Sequence, residues 1–155
     1  MTCQKSYANN SSQMETRNHP NGAEPKSYMS RKNKNTKIIM SITAIKSIVN
    51  KTSGSIGIVK RENKDQDNIS LRPNDVSNEE IWIPWVSNQQ EFNDKVIEIT
   101  FFSSNNKIFI WETGGKVKWS MRGFESPGRA INGNSNSDGD RRLIIEENMV
   151  VLESL

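Results

Sequence analysis

Residues 95–120 read KVIEITFFSSNNKIFIWETGGKVKWS. Two polar turns, at residues 103–106 and 113–115, divide this stretch into three short runs rich in Ile, Val, Phe and Trp. In the first run, apolar and polar residues alternate. Alternation of this kind between turns rich in Asn and Gly is typical of antiparallel strands. The stretch therefore predicts a three-stranded meander.

The register of the second hairpin depends on how many residues its turn contains. The preceding run, residues 107–112, is apolar at successive positions, which predicts a strand covered on both faces. Glycine in the turn accepts positive φ and favours a hairpin. A three-residue loop places Trp111 opposite Val117, whereas a two-residue loop places it opposite Lys118. We predict the three-residue loop, because it pairs the indole with an apolar side chain.

Five further runs outside the meander have the same character. They lie at residues 55–61, 68–72, 80–86, 142–146 and 149–153. Residues 36–50 fit both alternation and a helical stripe, and their many β-branched side chains favour a strand. Pro84 cannot donate to a ladder, so its run should be an edge strand or contain a bulge.

These runs predict an all-β domain over residues 38–155. The expected architecture is an antiparallel β-sandwich of about eight or nine short strands. A β-trefoil or small barrel is the alternative, because strand order is not encoded in short-range signals.

The charge is divided unevenly along the chain, whose net charge is +3. Residues 1–37 hold seven basic and two acidic residues, whereas the remainder holds 14 basic and 16 acidic residues. The first segment has no Ile, Leu, Val, Phe or Trp, so it predicts a disordered basic tail. The sequence predicts no nucleic-acid partner beyond weak binding through this tail. The tail lacks the apolar core of a secretory signal, which predicts a cytoplasmic protein.

Few residues suit catalysis or cofactor binding. The single Cys and the single His, Cys3 and His19, both lie in the predicted tail. No run approaches the roughly 18 apolar residues of a spanning helix, and no Gly-rich phosphate loop occurs. The sequence therefore predicts a protein that is not an enzyme, with no cofactor, no metal and no transmembrane segment.

Four Trp residues between positions 82 and 119 are the main candidates for a binding surface. Sugar rings stack on indole rings while Asn and Asp side chains bind the hydroxyl groups. The alternative is that most of these Trp residues lie in the core, where aromatic side chains bury the largest area; Trp85, beside Pro84, should be the most exposed. The predicted ligand-binding residues are Trp82, Trp85, Asn88, Trp119, Asn134, Asn136 and Asp138.

Residues 134–140, NSNSDGD, resemble the opening of a calcium-binding EF-hand loop. The first ligand would be Asn, however, and the twelfth position falls on Ile145, where this loop requires Glu. Asn, Ser, Gly and Asp are also the commonest turn residues. A polar turn is the preferred interpretation.

The leading functional hypothesis is a lectin-like binding module for a carbohydrate or a similar polar ligand. The pattern over residues 45–155 has the general look of compact lectin-like or cytolysin-like sandwiches, although no motif identifies a family. One alternative is a protein-interaction or oligomeric β domain, with a protein ligand or a second copy as partner. Another is a membrane-active, cytolysin-like sandwich.

Overall fold

A computed structural model describes residues 42–63 and 68–155, and these form an all-β sandwich. Its two sheets do not close on themselves, which removes the trefoil and barrel alternatives. The predicted disordered tail, residues 1–37, and the start of the predicted domain lie outside the described residues.

The first sheet is mixed. Its strands are β1 (Thr43–Asn50), β4 (Val76–Ser77), β5 (Ile81–Trp82), β10 (Asn132–Gly133), β11 (Gly139–Glu146) and β12 (Met149–Ser154). They run in the order β10-β12-β11-β1-β4, and β5 also pairs with β1. The β1–β11 and β10–β12 pairs are parallel. The predicted all-β sandwich is confirmed, but this sheet is mixed where antiparallel pairing was expected, because β1 and β11 lie far apart in sequence and their pairing has no local signal.

The second sheet is antiparallel throughout. Its strands are β2 (Ile56–Lys60), β3 (Asn68–Leu71), β6 (Ile97–Phe101), β7 (Lys107–Thr113), β8 (Lys116–Ser120) and β9 (Arg129–Ala130). They run in the order β3-β2-β6-β7-β8-β9, which confirms the predicted meander β6–β7–β8. Four of the twelve described strands contain only two residues, so the eight longer ones agree with the predicted number.

The predicted register of the β7–β8 hairpin was wrong. Thr113 pairs with Lys116, and Trp111 therefore lies opposite Lys118. The loop consists of Gly114 and Gly115 alone, with φ angles of +58° and +72°. Positive φ at both central positions is the requirement of a type I′ turn. Trp111 needs no apolar partner across the hairpin, because it packs on the opposite face of the sheet from Val117.

Two apolar clusters, one on each face of the second sheet, explain why successive residues of β7 are apolar. Ile108 and Ile110 belong to the core between the sheets, together with Ile45 and Leu143 of the first sheet. Trp111 belongs to a second cluster on the outer face of the second sheet, where its partners are Val86, Phe92 and Val96, with Phe109 and Phe124 packed against them. The second sheet is thus covered on both faces around β7, as the sequence of this strand predicted.

The second cluster is closed by the helix α1 (Gln89–Lys95), which no sequence prediction assigned. Phe92 is its one buried residue and contacts Trp111 edge to face, with ring centroids 5.3 Å apart. Asn88 caps the helix by accepting the backbone N–H of Glu91. Glu91 in turn accepts the N–H of Ser87, an arrangement close to a capping box.

The first sheet agrees with two further predictions. Residues 43–50 form a strand and not a helix. The strand β5, two residues before Pro84, pairs only with β1 and is therefore an edge strand.

Candidate functional site

Trp82 and Trp85 lie at the end of the sandwich where β1 and β11 begin. Trp82 pairs with Ala44, and Ala44 pairs with Asp140 on its other side. Directly paired residues point to the same face of a sheet. Since Ile81 and Ile45, the neighbours in the next row, point into the core, the row of Trp82, Ala44 and Asp140 faces outward.

Trp85 is attached to the same end through the other sheet. Its backbone forms a parallel bridge with Glu112, the residue before the last of β7. The turn that follows β7 is tied to the loop before β11, because the Ser137 N–H donates to Gly115 and Asn136 bridges with Lys116. Backbone hydrogen bonds thus bring one loop of polar residues to the end that carries both indole rings.

The four Trp residues divide into two exposed and two buried. Trp82 and Trp85 are each 47% exposed, whereas Trp111 is fully buried and Trp119 is 6% exposed. Between the two exposed residues, Ile83 and Pro84 are buried. We define the tryptophan end as Trp82, Trp85, Asn136, Asp138 and Asp140.

The remaining predicted site residues do not join this surface. Trp119, predicted as a ligand contact, lies in the core between the sheets, and the Arg129 guanidinium lies over its ring at 5.1 Å from the centroid. The side chain of Asn88 is used to cap α1. Asn134 anchors its own loop by donating to the Ser154 hydroxyl and accepting the Asn136 N–H.

The loop at residues 134–140 uses its oxygen atoms within the protein. Asn136 accepts a hydrogen bond from the Lys116 ammonium, and the Asp138 carboxylate pairs with Arg141 at 3.1 Å. Across residues 42–63 and 68–155, no group of three or more His, Cys, Asp or Glu side chains is placed to hold a metal ion. The arrangement is that of a polar turn held by two cations.

The sequence prediction missed two charged groups beside Trp82. The Lys46 ammonium forms a salt bridge with Glu80, and this hydrogen bond raises the pKa of Lys46, with a smaller contribution from the charge of Asp140. Only the pairing of β1 with β5 and β11 brings these residues together, so no spacing in the sequence could have indicated them.

Glu112 is a buried carboxyl group at the same end, 2% exposed. Burial raises its pKa above the ordinary value, and the charge of Asp138 acts in the same direction, while the hydroxyl groups of Ser137 and Thr43 oppose the shift. Among the described residues, its Oε1 atom has no hydrogen-bond partner. An ionised carboxylate is therefore disfavoured here.

Replacing Glu112 with Gln is expected to stabilise the protein at neutral pH. An acid with a raised folded-state pKa adds stability below its unfolded-state pKa and loses it as the pH rises through the folded-state value. The melting temperature of Glu112→Gln should therefore exceed that of the wild type at pH 7, and the difference should shrink towards pH 4. Glu79→Gln, at an exposed carboxyl group, is the control. A variant less stable than the wild type at pH 7 would show that the Glu112 carboxylate is favourably bound.

No helix in the described part of the chain is long and apolar enough to cross a membrane. Comparison with protein-family models, curated proteins and solved structures gives no match for this chain. Its function therefore has to follow from the chemistry of its own surface.

Proposed function

We propose that this protein is a non-enzymatic binding module that recognises a carbohydrate at the tryptophan end. The observation that carries the proposal is the joint exposure of Trp82 and Trp85 beside the polar loop of Asn136 and Asp138. Indole rings are usually buried because they bring a large apolar area to a core. Ligand binding would therefore explain why two indole rings at one end of a small domain are half-exposed.

The chemistry of this end suits a sugar better than a purely apolar ligand. Asp140 lies two strands from Trp82 in the same row, about 10 Å away at ordinary strand spacing. That distance admits one sugar ring stacked on the indole with a hydroxyl group near the carboxylate. The Glu80–Lys46 pair adds an acceptor and a donor beside Trp82.

A protein-interaction surface is the second candidate. Ile42, the residue before β1, is 52% exposed and lies at the same end as both indole rings. Three large apolar side chains at one end are also typical of the centre of a protein interface. A membrane-active sandwich would use the same side chains at a lipid surface.

Removing the two indole rings is expected to abolish sugar binding without unfolding the domain. A glycan array should first identify a sugar. Its affinity for the wild type is then measured by titrating the tryptophan fluorescence, and its affinity for the variants by calorimetry, because the variants lack the indole rings that report binding. Trp82→Ala or Trp85→Ala alone should weaken binding by about fivefold, since an aromatic stacking contact contributes about 1 kcal/mol beyond burial. The double variant should show no saturable binding.

The control is Phe102→Ala, which removes an exposed aromatic side chain (57% exposed) from the turn after β6. It should bind the sugar as the wild type does. If no glycan changes the fluorescence and sedimentation shows self-association that the double variant loses, the protein-interaction candidate is correct. Leakage of liposomes that depends on both Trp residues would instead favour the membrane-active sandwich.

A further inference from the structure

A shallow, open depression lies on the outer face of the second sheet, beside α1. We call it the basic groove and define it by Arg61, Gln89, Asn93, Lys107, Phe109 and Arg122, which line a cavity of about 490 Å³. All three of its charged lining residues are basic. It is separate from the tryptophan end, because Lys107 begins β7 whereas Glu112 lies near the end of that strand.

Two of the three cations are held in place by one carboxylate. Glu98 accepts hydrogen bonds from Arg61 Nη2 at 2.6 Å and from Lys107 Nζ at 2.5 Å, through different oxygen atoms. Burial alone would raise the pKa of Glu98, but the hydrogen bonds and charges of Lys107 and Arg61 outweigh it and the pKa is lowered. The carboxylate is thus ionised at neutral pH and balances one of the two positive charges.

Arg61 is further fixed by two contacts that leave donors available. Its Nη1 atom donates to the backbone carbonyl of Asn93 at 3.3 Å, and the guanidinium lies 5.4 Å from the centroid of the Phe109 ring. Arginine has five N–H donors, so some of them remain for a ligand. Such a fixed guanidinium loses little conformational entropy when an anion binds.

Arg122 provides the charge that is not balanced. Its backbone N–H donates to the Ser120 hydroxyl, but no salt bridge or hydrogen bond joins its guanidinium to another described residue, and the side chain is exposed at the wall of the groove. With Arg61, Lys107 and Glu98 contributing +1 together, Arg122 brings the net charge of the groove to +2. A dianion would neutralise this charge, whereas a monoanion would leave one cation unpaired.

We propose that the basic groove binds a phosphate monoester. A monoester is close to a dianion at neutral pH, with a second pKa near 6, and offers three acceptor oxygens to the three cations. The amide side chains of Gln89 and Asn93 border the same cavity and suit a polar organic group, such as a sugar or a nucleoside, attached to the phosphate. This proposal is independent of sugar binding at the tryptophan end.

Calorimetric titration of the full chain with glucose 6-phosphate, adenosine monophosphate and inorganic phosphate tests the proposal. We expect saturable binding at or below about 1 mM for at least one monoester. Tighter binding of the sugar ester or of the nucleotide than of inorganic phosphate would show which organic group the groove also contacts. Equal affinities would show that it binds the phosphate group alone. Binding should weaken as the pH falls below about 6 and the second proton is added.

Arg122→Gln should reduce the affinity about tenfold or more, because it removes a charged hydrogen-bond donor from the phosphate. Arg122→Lys should retain part of the affinity. Arg142→Gln, on the first sheet and paired with Glu153 at 3.9 Å, is the matched control and should bind as the wild type does. The proposal is overturned if no monoester binds, if glucose 6-sulfate binds as tightly as the phosphate, or if both Gln variants lose affinity equally.

Discussion

Replacing Trp111 with Ala is expected to lower the free energy of unfolding by about 3–5 kcal/mol, the range for truncating a large buried aromatic side chain. Trp111 is fully buried and lies within 5.3 Å of the Phe92 ring and 6.1 Å of the Phe124 ring, measured between centroids. The cavity left behind would open the cluster that holds α1 on the sheet. The free energy of unfolding of a small domain is about 5–15 kcal/mol in total, so this single substitution removes a large share of the stability. Urea unfolding followed by circular dichroism measures it.

Two further variants separate the loss of packing from other effects. Trp111→Phe keeps a ring in the cluster, and it removes an indole N–H that has no hydrogen-bond partner among the described residues. The decrease in the free energy of unfolding for Trp111→Phe should therefore be much smaller, about 1–2 kcal/mol. Trp85→Ala, at a half-exposed position, should change stability by about 0.5 kcal/mol or less. Similar losses for Trp111→Ala and Trp85→Ala would contradict the assignment of Trp111 to a second core.

The second cluster, around Trp111, explains why the sequence analysis located the strands correctly but predicted the wrong register for the β7–β8 hairpin. Alternation and turn residues located β6, β7 and β8 because those signals are local. The choice between registers depended on where Trp111 packs. The sequence favours Val117 as its cross-strand partner, because that register pairs the indole with an apolar side chain. In the structure, Phe92 and Val96, which come from another part of the chain, cover Trp111 on the outer face of the sheet instead.

The helix α1 was missed because it has only seven residues and one buried side chain, Phe92. A helix of this length shows no periodic stripe, since it completes only about two turns. The available signal was the spacing of Asn88 and Glu91, a cap followed by an acid three residues later. The sequence prediction assigns Asn88 to ligand binding instead.

The candidate site was predictable only in part. Trp85 next to Pro84 was correctly expected to be exposed, whereas Trp82 and Trp119 differ in burial although both lie in strands. Trp82 is exposed because β5 is an edge strand with an outward-facing row, and Trp119 is buried because its row continues through Ile110 into the core. Which row faces outward is decided by pairing between distant strands, and that pairing has no signal in a single sequence.

Replacing Asn50 with Ala is expected to cost about 3 kcal/mol or more. The Asn50 amide is fully buried and donates to the backbone carbonyls of Gly54, Arg72 and Leu71 at 2.9, 3.0 and 3.3 Å. Its oxygen accepts the N–H and the hydroxyl group of Thr52 at 3.0 and 2.7 Å. The carbonyls of Gly54 and Arg72 keep the Thr52 hydroxyl and the Asp75 N–H as donors. Alanine would still remove the buried hydrogen bonds to the Leu71 carbonyl and from the Thr52 N–H, and each buried group left without a partner costs about 1–3 kcal/mol.

Asn50→Asp and Asn68→Ala test whether this network, and not the loss of any Asn, carries the effect. At Asn50, a carboxylate would face carbonyl oxygens, so the deficit of Asn50→Asp should be larger at pH 7 than at pH 4, where a protonated carboxyl group can donate one hydrogen bond. Asn68 is exposed on β3, so its replacement should change stability by about 0.5 kcal/mol or less. If the stability lost in Asn50→Asp does not depend on pH, the hydrogen bonds that Asn50 donates are not the source of its contribution to stability. Equal effects at Asn50 and Asn68 would exclude the network as the cause.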